Sequence, residues 1–164
     1  MATFQKISPN LWFDSNAEEA ANFYISIFPN SKIGKITRYG TEGFEIHHRP
    51  AGTVMVIEFF LDGQQFLGLN GGPVFKFNES VSFVVNCADQ KEIDYFWDKL
   101  NEGGDPAAQQ CGWLKDKFGL SWQVVPIAMD DMMSGDSAAS GRVMNAMLQM
   151  KKLDIAKLEA ARKG

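Results

Sequence analysis

Apolar and polar residues alternate in short runs along this chain, and one order of patterns occurs twice, about seventy residues apart. In the first copy, a short apolar strand through Phe13 leads into a pattern of helical period. Asn16 stands at the N-cap position with Glu19 three residues later, which is the spacing of a capping box. Pro29 and Asn30 end the predicted helix.

The second copy repeats this order from a strand predicted over 80–85. A turn follows, and then apolar residues repeat at helical spacing as far as Leu100. The pair Gly103 and Gly104 supplies a C-terminal stop for this helix. An internal repeat of this kind predicts two similar modules within one chain.

Strand-rich sequence follows each predicted helix. The predicted strands lie at 32–39, 53–61 and 64–69 in the first copy and at 111–115 and 120–125 in the second. Between Leu100 and Cys111 the strand pattern is weak, because the segment contains Pro106 and few residues that favour strands. Each copy is therefore predicted as βαβββ, with one strand of the second copy uncertain, and the fold class is α+β.

The pattern changes after Pro126, where a polar loop leads into two helical stretches. The first places methionines on one stripe, and methionines at this spacing usually fill a core or a dimer interface. The second, over 151–163, is short and amphipathic. The predicted organisation is one domain at 1–126, with modules at about 1–75 and 76–126, and a helical extension at 127–164.

Charge and composition exclude several classes of function. The formal net charge is −4 and basic residues form no stripe, so we expect no nucleic-acid partner. No run approaches the ~20 apolar residues of a membrane span, and the N-terminus shows no apolar signal segment. Cys87 and Cys111 form no CxxC pair. We therefore expect a cytoplasmic protein with two free thiols.

Several long stretches resemble one protein family. WFDSNAEEAANFYISIFPNS, LDGQQFLGLNGGP, SFVVNCADQKEIDYFWDKL and CGWLKDKFGLSWQVVP look like the PhnB-like proteins, catalogued as 3-demethylubiquinone-9 3-methyltransferase. These belong to the vicinal oxygen chelate superfamily, with glyoxalase I, bleomycin resistance proteins and extradiol dioxygenases. The resemblance covers nearly the whole chain. It implies two βαβββ modules that form a cupped mixed sheet with helices outside, around a small-molecule site, commonly in a homodimer.

The resemblance also implies where a metal would bind, because metal-dependent members take ligands from the first and last strands of each module. Side chains alternate along a strand, which assigns the inward positions. The corresponding positions here are Ser8 or Asn10, Leu67, Ser80 or Ser82, and Gln123. Divalent metals prefer imidazole, carboxylate or thiolate ligands, and Leu67 cannot ligate. We predict no metal and no cofactor, with a divalent metal kept as an alternative.

The same alternation predicts which residues contact a small organic ligand. They are Asn10, Trp12, Ser82, Ser121 and Gln123. Neutral hydrogen bonds from the polar side chains and the aromatic face of Trp12 would set the orientation of the ligand. Asp116 and Gly119 have a structural explanation instead, since an acid at the start of a hairpin accepts turn N–H groups.

The residues leave two other functions open and disfavour a third. The main alternative is a metal-dependent glyoxalase- or dioxygenase-type enzyme using His47 or His48 with Gln123. The histidines are neighbours in a segment predicted to be extended, which favours a surface loop or edge strand. A third hypothesis is an interaction module that docks a partner through its methionine-rich helix. Methyltransferase activity is disfavoured, because strands and helices show no Rossmann alternation.

Overall fold

The first part of the molecule is a mixed four-stranded sheet with one long helix. A computed structural model describes residues 4–164, which divide into two compact units with the boundary between Lys76 and Phe77. The first unit contains β1 (Asn10–Phe13), α1 (Ala17–Ile27), β2 (Lys32–Arg38), α2 (Phe44–His47), β3 (Val54–Leu61) and β4 (Gln64–Asn70). The strand order is β1-β4-β3-β2, in which β1 and β4 are parallel and the other neighbours are antiparallel.

Helix α1 packs against one face of this sheet. Leu11 and Phe13 are buried on β1, as the alternation of the strand predicts. Tyr24 of α1 is fully buried and stacks on Phe59, with ring centroids 6.3 Å apart. Burial of side chains of this size contributes about 1.5–3 kcal/mol each. This face is therefore the core of the unit.

The start of α1 differs from the prediction. Asn16 occupies the N-cap, but among the described residues its side chain makes no capping hydrogen bond, so the predicted capping box is wrong. Asn70 at the end of β4 caps the helix instead: its Oδ1 accepts from the Ala17 backbone N–H at 2.9 Å. The Asn70 Nδ2 donates to the Val54 carbonyl at 3.1 Å, which ties the same side chain to β3.

The second unit has a three-stranded sheet and four helices. Its elements are β5 (Ser82–Cys87), α3 (Gln90–Leu100), β6 (Trp113–Lys115), β7 (Ser121–Pro126), α4 (Met129–Met133), α5 (Ser137–Leu148) and α6 (Ile155–Lys163). The strand order is β5-β7-β6, with β5 parallel to β7 and β6 antiparallel to it. The segment with the weak strand pattern forms a 3-10 helix at Pro106–Ala108. The α+β class is confirmed.

Helix α3 covers one face of the second sheet. Its apolar stripe is buried as the sequence predicts, and consists of Ile93, Phe96, Trp97 and Leu100. The Asp89 side chain caps the helix by accepting from the Glu92 N–H at 2.9 Å. Phe83 of β5 and Trp122 of β7 lie on this side of the sheet, with ring centroids 5.6 Å apart.

The C-terminal helices form a small core of their own within the second unit. Its buried residues are Met132, Val143, Leu153 and Leu158. Met147 and Met150 pack against this cluster and so fill a core, whereas Met144 on the same stripe is exposed. Within residues 4–164, no helix combines the length and apolar character that crossing a membrane requires.

Backbone hydrogen bonds join the segment before α6 to the rest of the second unit. The Cys111 N–H donates to the Met150 carbonyl at 2.8 Å, and the Gly112 N–H donates to the Lys151 carbonyl at 2.8 Å. Gly112 has φ +84, and a Cβ there would lie 2.9 Å from the Val124 carbonyl oxygen. Glycine at this position therefore permits both the backbone conformation and the close approach.

Candidate functional site

Polar side chains of the first sheet lie on the face opposite α1. The face, here called the first distal face, carries Asn10, Trp12, Glu58, Gln65 and Leu67. Leu67 is the register partner of both Asn10 and Glu58, so the three side chains form one row across the sheet. Asn10 and Trp12 thus lie on the side of β1 that the alternation predicts.

Trp12 is held in one position by the segment that follows β4. Its indole Nε1 donates to the Gly72 carbonyl at 2.8 Å. Its ring meets the Phe75 ring edge to face, with centroids 4.9 Å apart. A Cβ on Gly71 would lie 2.2 Å from the indole, so any larger residue would displace the ring. The half-buried indole is therefore a rigid part of the first distal face.

A hydrogen-bonded chain of three side chains crosses the first distal face. The Ser8 Oγ donates to the Gln65 Oε1 at 2.6 Å, and the Gln65 Nε2 donates to the Glu58 carboxylate. The second Glu58 oxygen accepts from the Lys35 backbone N–H at 3.1 Å. These bonds, from Lys35 first and then Gln65, hold the pKa of Glu58 below its ordinary value. Glu58 is therefore ionised near neutral pH.

Sequence reasoning missed Glu58 as a residue of this face. Its signal was present, because Glu58 is the one charged residue in the strand VMVIEFFL. A lone carboxylate in an apolar strand indicates a partner on the sheet. That partner, Gln65, stands on β4 and could only be assigned once the register was known.

The second sheet presents a corresponding polar face opposite α3, here called the second distal face. It carries Ser82, Val84, Trp113, Lys115, Ser121 and Gln123. Gln123 Nε2 donates to the Ser82 Oγ at 3.0 Å. The structure thus brings together the three residues of this unit that were predicted to contact a ligand.

Ser121 is distinct within the second distal face. It is 1% exposed, and its Oγ is buried without a hydrogen-bond partner among the described residues. Its register partner on β5 is Ser82, whose hydroxyl already accepts from Gln123. Leaving a buried hydroxyl without a partner costs about 1–3 kcal/mol. An unpaired group of this kind indicates a place where a bound water or ligand would be stabilised.

A serine bonded to a glutamine recurs on both distal faces. In the first unit the pair is Ser8 with Gln65, and in the second it is Ser82 with Gln123. Gln65 also bonds to a carboxylate, whereas Gln123 lies opposite Trp113 and Val84. The charge on the second face comes instead from Lys115, which stands opposite Ser121 on β6 and pairs with Glu79.

The polar side chains of the two distal faces do not fit the metal site that the resemblance to the superfamily implies. Hydroxyl and amide groups dominate both faces, and they are weak ligands for divalent transition metals. Both oxygens of Glu58 already accept hydrogen bonds. Among residues 4–164, no three His, Cys, Asp or Glu side chains are grouped as a metal site requires.

His47 ends a short helix and His48 follows it directly, so the prediction of an extended segment is wrong. Phe44–His47 forms one helical turn, and His48 follows in the left-handed region with φ +53. The Nδ1 of His47 accepts from the Arg49 N–H at 2.9 Å, and its Nε2 contacts the Glu42 carbonyl at 2.9 Å. With one nitrogen accepting and the other donating, the neutral ring is already saturated.

Asp116 shapes the hairpin between β6 and β7, as predicted. Its carboxylate is 3% exposed and accepts from the backbone N–H groups of Phe118 at 2.9 Å and Leu120 at 3.0 Å. The other oxygen accepts from the Trp122 indole at 2.8 Å. Gly119 adopts φ +86 within the turn. These contacts fix the strand that carries Ser121 and Gln123.

The two cysteines occupy different environments. Cys87 is fully buried, and burial, followed by the nearby Glu92 and Asp89 carboxylates, raises the pKa of its thiol to about 12. Cys111 is partly exposed at the start of the second hairpin. Both are free, as the sequence predicts.

We expect the two thiols to differ strongly in reactivity. At pH 8, Cys111 should react with Ellman's reagent promptly, while Cys87 should react only when the protein unfolds, because its thiolate is suppressed and its sulfur is buried. A Cys111→Ser variant leaves Cys87 as the one thiol. In guanidinium chloride this variant should show one reactive thiol per chain. Prompt reaction of both thiols in the folded protein would contradict this assignment.

The raised pKa of Cys87 also makes the free energy of unfolding fall as the pH rises in the alkaline range. The folded state binds the thiol proton more tightly than the unfolded state, so this contribution is complete below the unfolded pKa of about 8.5 and is lost as pH rises towards 12. Replacing Cys87 with alanine should remove that part of the alkaline decline.

Comparison with known proteins finds a family model and a similar solved structure that carry the same description. A family model described as 3-demethylubiquinone-9 3-methyltransferase matches residues 5–125. A PhnB protein from Bacillus cereus, described with the same methyltransferase name, is 37% identical over 74% of this chain and 99% of its own, with a TM-score of 0.62. No protein of curated function matches the chain significantly.

More distant solved structures share the fold. The protein PA1353 from Pseudomonas aeruginosa is 20% identical, covers 75% of this chain and 98% of its own, and has a TM-score of 0.57. The fosfomycin resistance protein FosX from Listeria monocytogenes is 9% identical, covers 80% of this chain and 98% of its own, and has a TM-score of 0.53. At these identities the likeness concerns architecture alone.

Proposed function

This chain belongs to the 3-demethylubiquinone-9 3-methyltransferase family, and we propose that it is a PhnB-like small-molecule-binding protein of the vicinal oxygen chelate superfamily. Each face is proposed to offer its own ligand contacts, namely Asn10 and Trp12 on the first distal face, and Ser82, Ser121 and Gln123 on the second. We further propose a homodimer in the cytoplasm that needs no metal for binding.

The observation that carries the proposal is the buried, unpaired hydroxyl of Ser121 beside the bonded pair Ser82 and Gln123. Ser121 offers one hydroxyl donor and its lone pairs, and the Gln123 carbonyl oxygen adds an acceptor. Trp113 lies opposite Gln123 on β6 and supplies an apolar surface next to these groups. A neutral molecule with a donor, an acceptor and an apolar part suits this combination.

The methyltransferase activity in the family description is not part of this proposal. Among the described strands, the first sheet has one parallel pair, β1 with β4, and the second has one, β5 with β7. Dinucleotide-like cofactor sites lie at the carboxyl ends of several adjacent parallel strands with helices on both faces. S-adenosylmethionine is therefore expected to leave the unfolding temperature unchanged.

A ligand screen by thermal shift, on metal-free and metal-loaded protein in parallel, tests the proposal. We expect neutral polar hits whose stabilisation does not depend on added divalent metal. Gln123→Ala should weaken such a hit by about tenfold, since it removes a hydrogen bond from a partly buried site. Asn145→Ala, an exposed amide on α5, is the matched control and should leave the affinity unchanged.

Two results would contradict the proposal. Hits that appear only after metal loading, and are turned over, would support a metal-dependent glyoxalase- or dioxygenase-type enzyme instead. Equal affinities for the Gln123→Ala and Asn145→Ala variants would remove the second distal face from the site.

A further inference from the structure

A separate cavity opens in the first unit, at the end of the sheet where α1 begins. It measures about 430 Å³, and its polar lining comprises Ser15, Glu18, Arg38, Arg49, Thr53 and Asn70. Asn70 and Val54, which also line it, are buried on the α1 side of the sheet. The cavity is therefore distinct from the first distal face, and none of the residues proposed above to contact a ligand lines it.

Arg49 is fixed in the wall of this cavity. Its Nη2 donates to the Asp14 carboxylate at 3.0 Å, and its side chain is 19% exposed. A Cβ on Gly72 would lie 2.8 Å from the same nitrogen, so the guanidinium rests against a glycine. Among the described residues, Asp14 is the one hydrogen-bond partner of the Arg49 side chain. A guanidinium has five N–H donors, so donors remain for a ligand.

Arg38 brings a second guanidinium to the cavity from the end of β2. Its Nη1 donates to the Gly52 carbonyl at 3.1 Å. That carbonyl belongs to a tight turn in which Thr53 donates to the Pro50 carbonyl through both its N–H at 3.2 Å and its Oγ1 at 2.7 Å. Because the turn is held in this way, the position of Arg38 is set by backbone as well as by its strand.

The charges around the cavity are mixed. Arg38 and Arg49 are cationic, while Glu18 in the first turn of α1 is anionic. Guanidinium groups bind carboxylates with paired hydrogen bonds. A phosphate dianion would face the Glu18 carboxylate unfavourably, whereas a ligand that carries both a carboxylate and an amine satisfies all three side chains.

We propose that this cavity binds a small zwitterion of the α-amino acid class, with its carboxylate at Arg38 and Arg49 and its ammonium group towards Glu18. The N–H of Ala17 at the helix start is already taken by Asn70, so recognition rests on the side chains and not on the helix terminus. The volume of the cavity leaves room for a side chain on the amino acid.

Three matched probes test the charge pattern. L-alanine carries both groups, propionate lacks the ammonium, and ethylammonium lacks the carboxylate. Each is titrated at constant ionic strength while the backbone amide resonances of Ser15, Gly52 and Thr53 are followed by NMR. We expect saturable shifts with L-alanine, at least about tenfold weaker binding of propionate, and no saturable shift with ethylammonium.

Variants separate this cavity from a general charge effect. Arg38→Gln and Glu18→Gln should each weaken L-alanine binding at least about tenfold. Lys35→Gln removes a positive charge from the same strand, outside the lining residues, and should leave binding unchanged. The unfolding temperature of each variant checks that the fold is intact.

Four results would overturn the proposal, three of them from the amino-acid titrations and the variants. They are no saturable shift with L-alanine, equal affinity for propionate and L-alanine, or equal weakening by Lys35→Gln and Arg38→Gln. Inorganic phosphate binding more tightly than L-alanine would also overturn it, because it would indicate a plain anion site. Gln123→Ala is expected to leave L-alanine binding unchanged, which keeps this test independent of the function proposed for the distal faces.

Discussion

Replacing Asp116 with alanine is expected to lower the free energy of unfolding by about 3–5 kcal/mol. The buried carboxylate accepts from two backbone N–H groups, of Phe118 and Leu120, and from the Trp122 indole. Leu120 and Trp122 are 2% and 3% exposed, so their donors would lose a partner without gaining water. Urea unfolding followed by circular dichroism measures the loss.

Two further variants provide reference values for the loss of unfolding free energy in Asp116→Ala. Asp105→Ala removes an exposed carboxylate whose one hydrogen bond within residues 4–164 comes from the Ala107 N–H at 2.9 Å, and should cost about 1 kcal/mol or less. Asp116→Asn keeps one acceptor oxygen but turns an NH₂ group towards other donors, so its cost should fall between those of the two alanine variants. Equal losses for Asp105→Ala and Asp116→Ala would refute the central role of Asp116 in this hairpin.

Replacing Asn70 with leucine is expected to cost about 2–4 kcal/mol of unfolding free energy. The Asn70 side chain satisfies the Ala17 N–H and the Val54 carbonyl together, and it is 6% exposed. Leucine has a similar volume, so the loss reflects the two unpaired backbone groups and not a cavity. The same urea titration measures it, with the slope checked for two-state behaviour.

The control for Asn70 is an amide whose contact is exposed. Asn22 donates to the Glu18 carbonyl on the surface of α1 at 2.8 Å, and Asn22→Ala should change stability by no more than about 0.5 kcal/mol. Asn70→Asp keeps the acceptor for Ala17 but places a second oxygen against the Val54 carbonyl. It should therefore be less stable than wild type near neutral pH and regain part of the difference on acidification, when the carboxyl can donate. A loss for Asn70→Leu as small as that for Asn22→Ala would contradict the capping assignment.

Local sequence patterns predict the strand faces well. Alternation along β1 and β7 separates buried Leu11 and Trp122 from Trp12 and Gln123, because a pleated strand has a period of two. The turn chemistry of Asp116 is also local, since its backbone partners lie within four residues. Such features depend on neighbours in sequence, and that is why the pattern reveals them.

Features that depend on distant partners were not predicted. Asn70 caps a helix whose first residue lies 53 positions away, and Glu58 meets a glutamine on the next strand. Helix α2 has four residues, which is too short for a helical period, and it is bounded by Gly43 at φ +74 and His48 at φ +53. The arginine-lined cavity likewise joins residues from a helix start, the ends of three strands and two loops.

The hydrogen bonds from Cys111 and Gly112 to Met150 and Lys151 have a consequence for synthesis on the ribosome. The strands and helices described in the first unit end by residue 70, so they can pair with one another while the second unit is still being made. The segment before β6 lacks these two backbone bonds until Met150 and Lys151 have left the exit tunnel. A chain stalled before Met150 would leave the N–H groups of Cys111 and Gly112 without these partners, and this segment would then be open to chaperones and proteases.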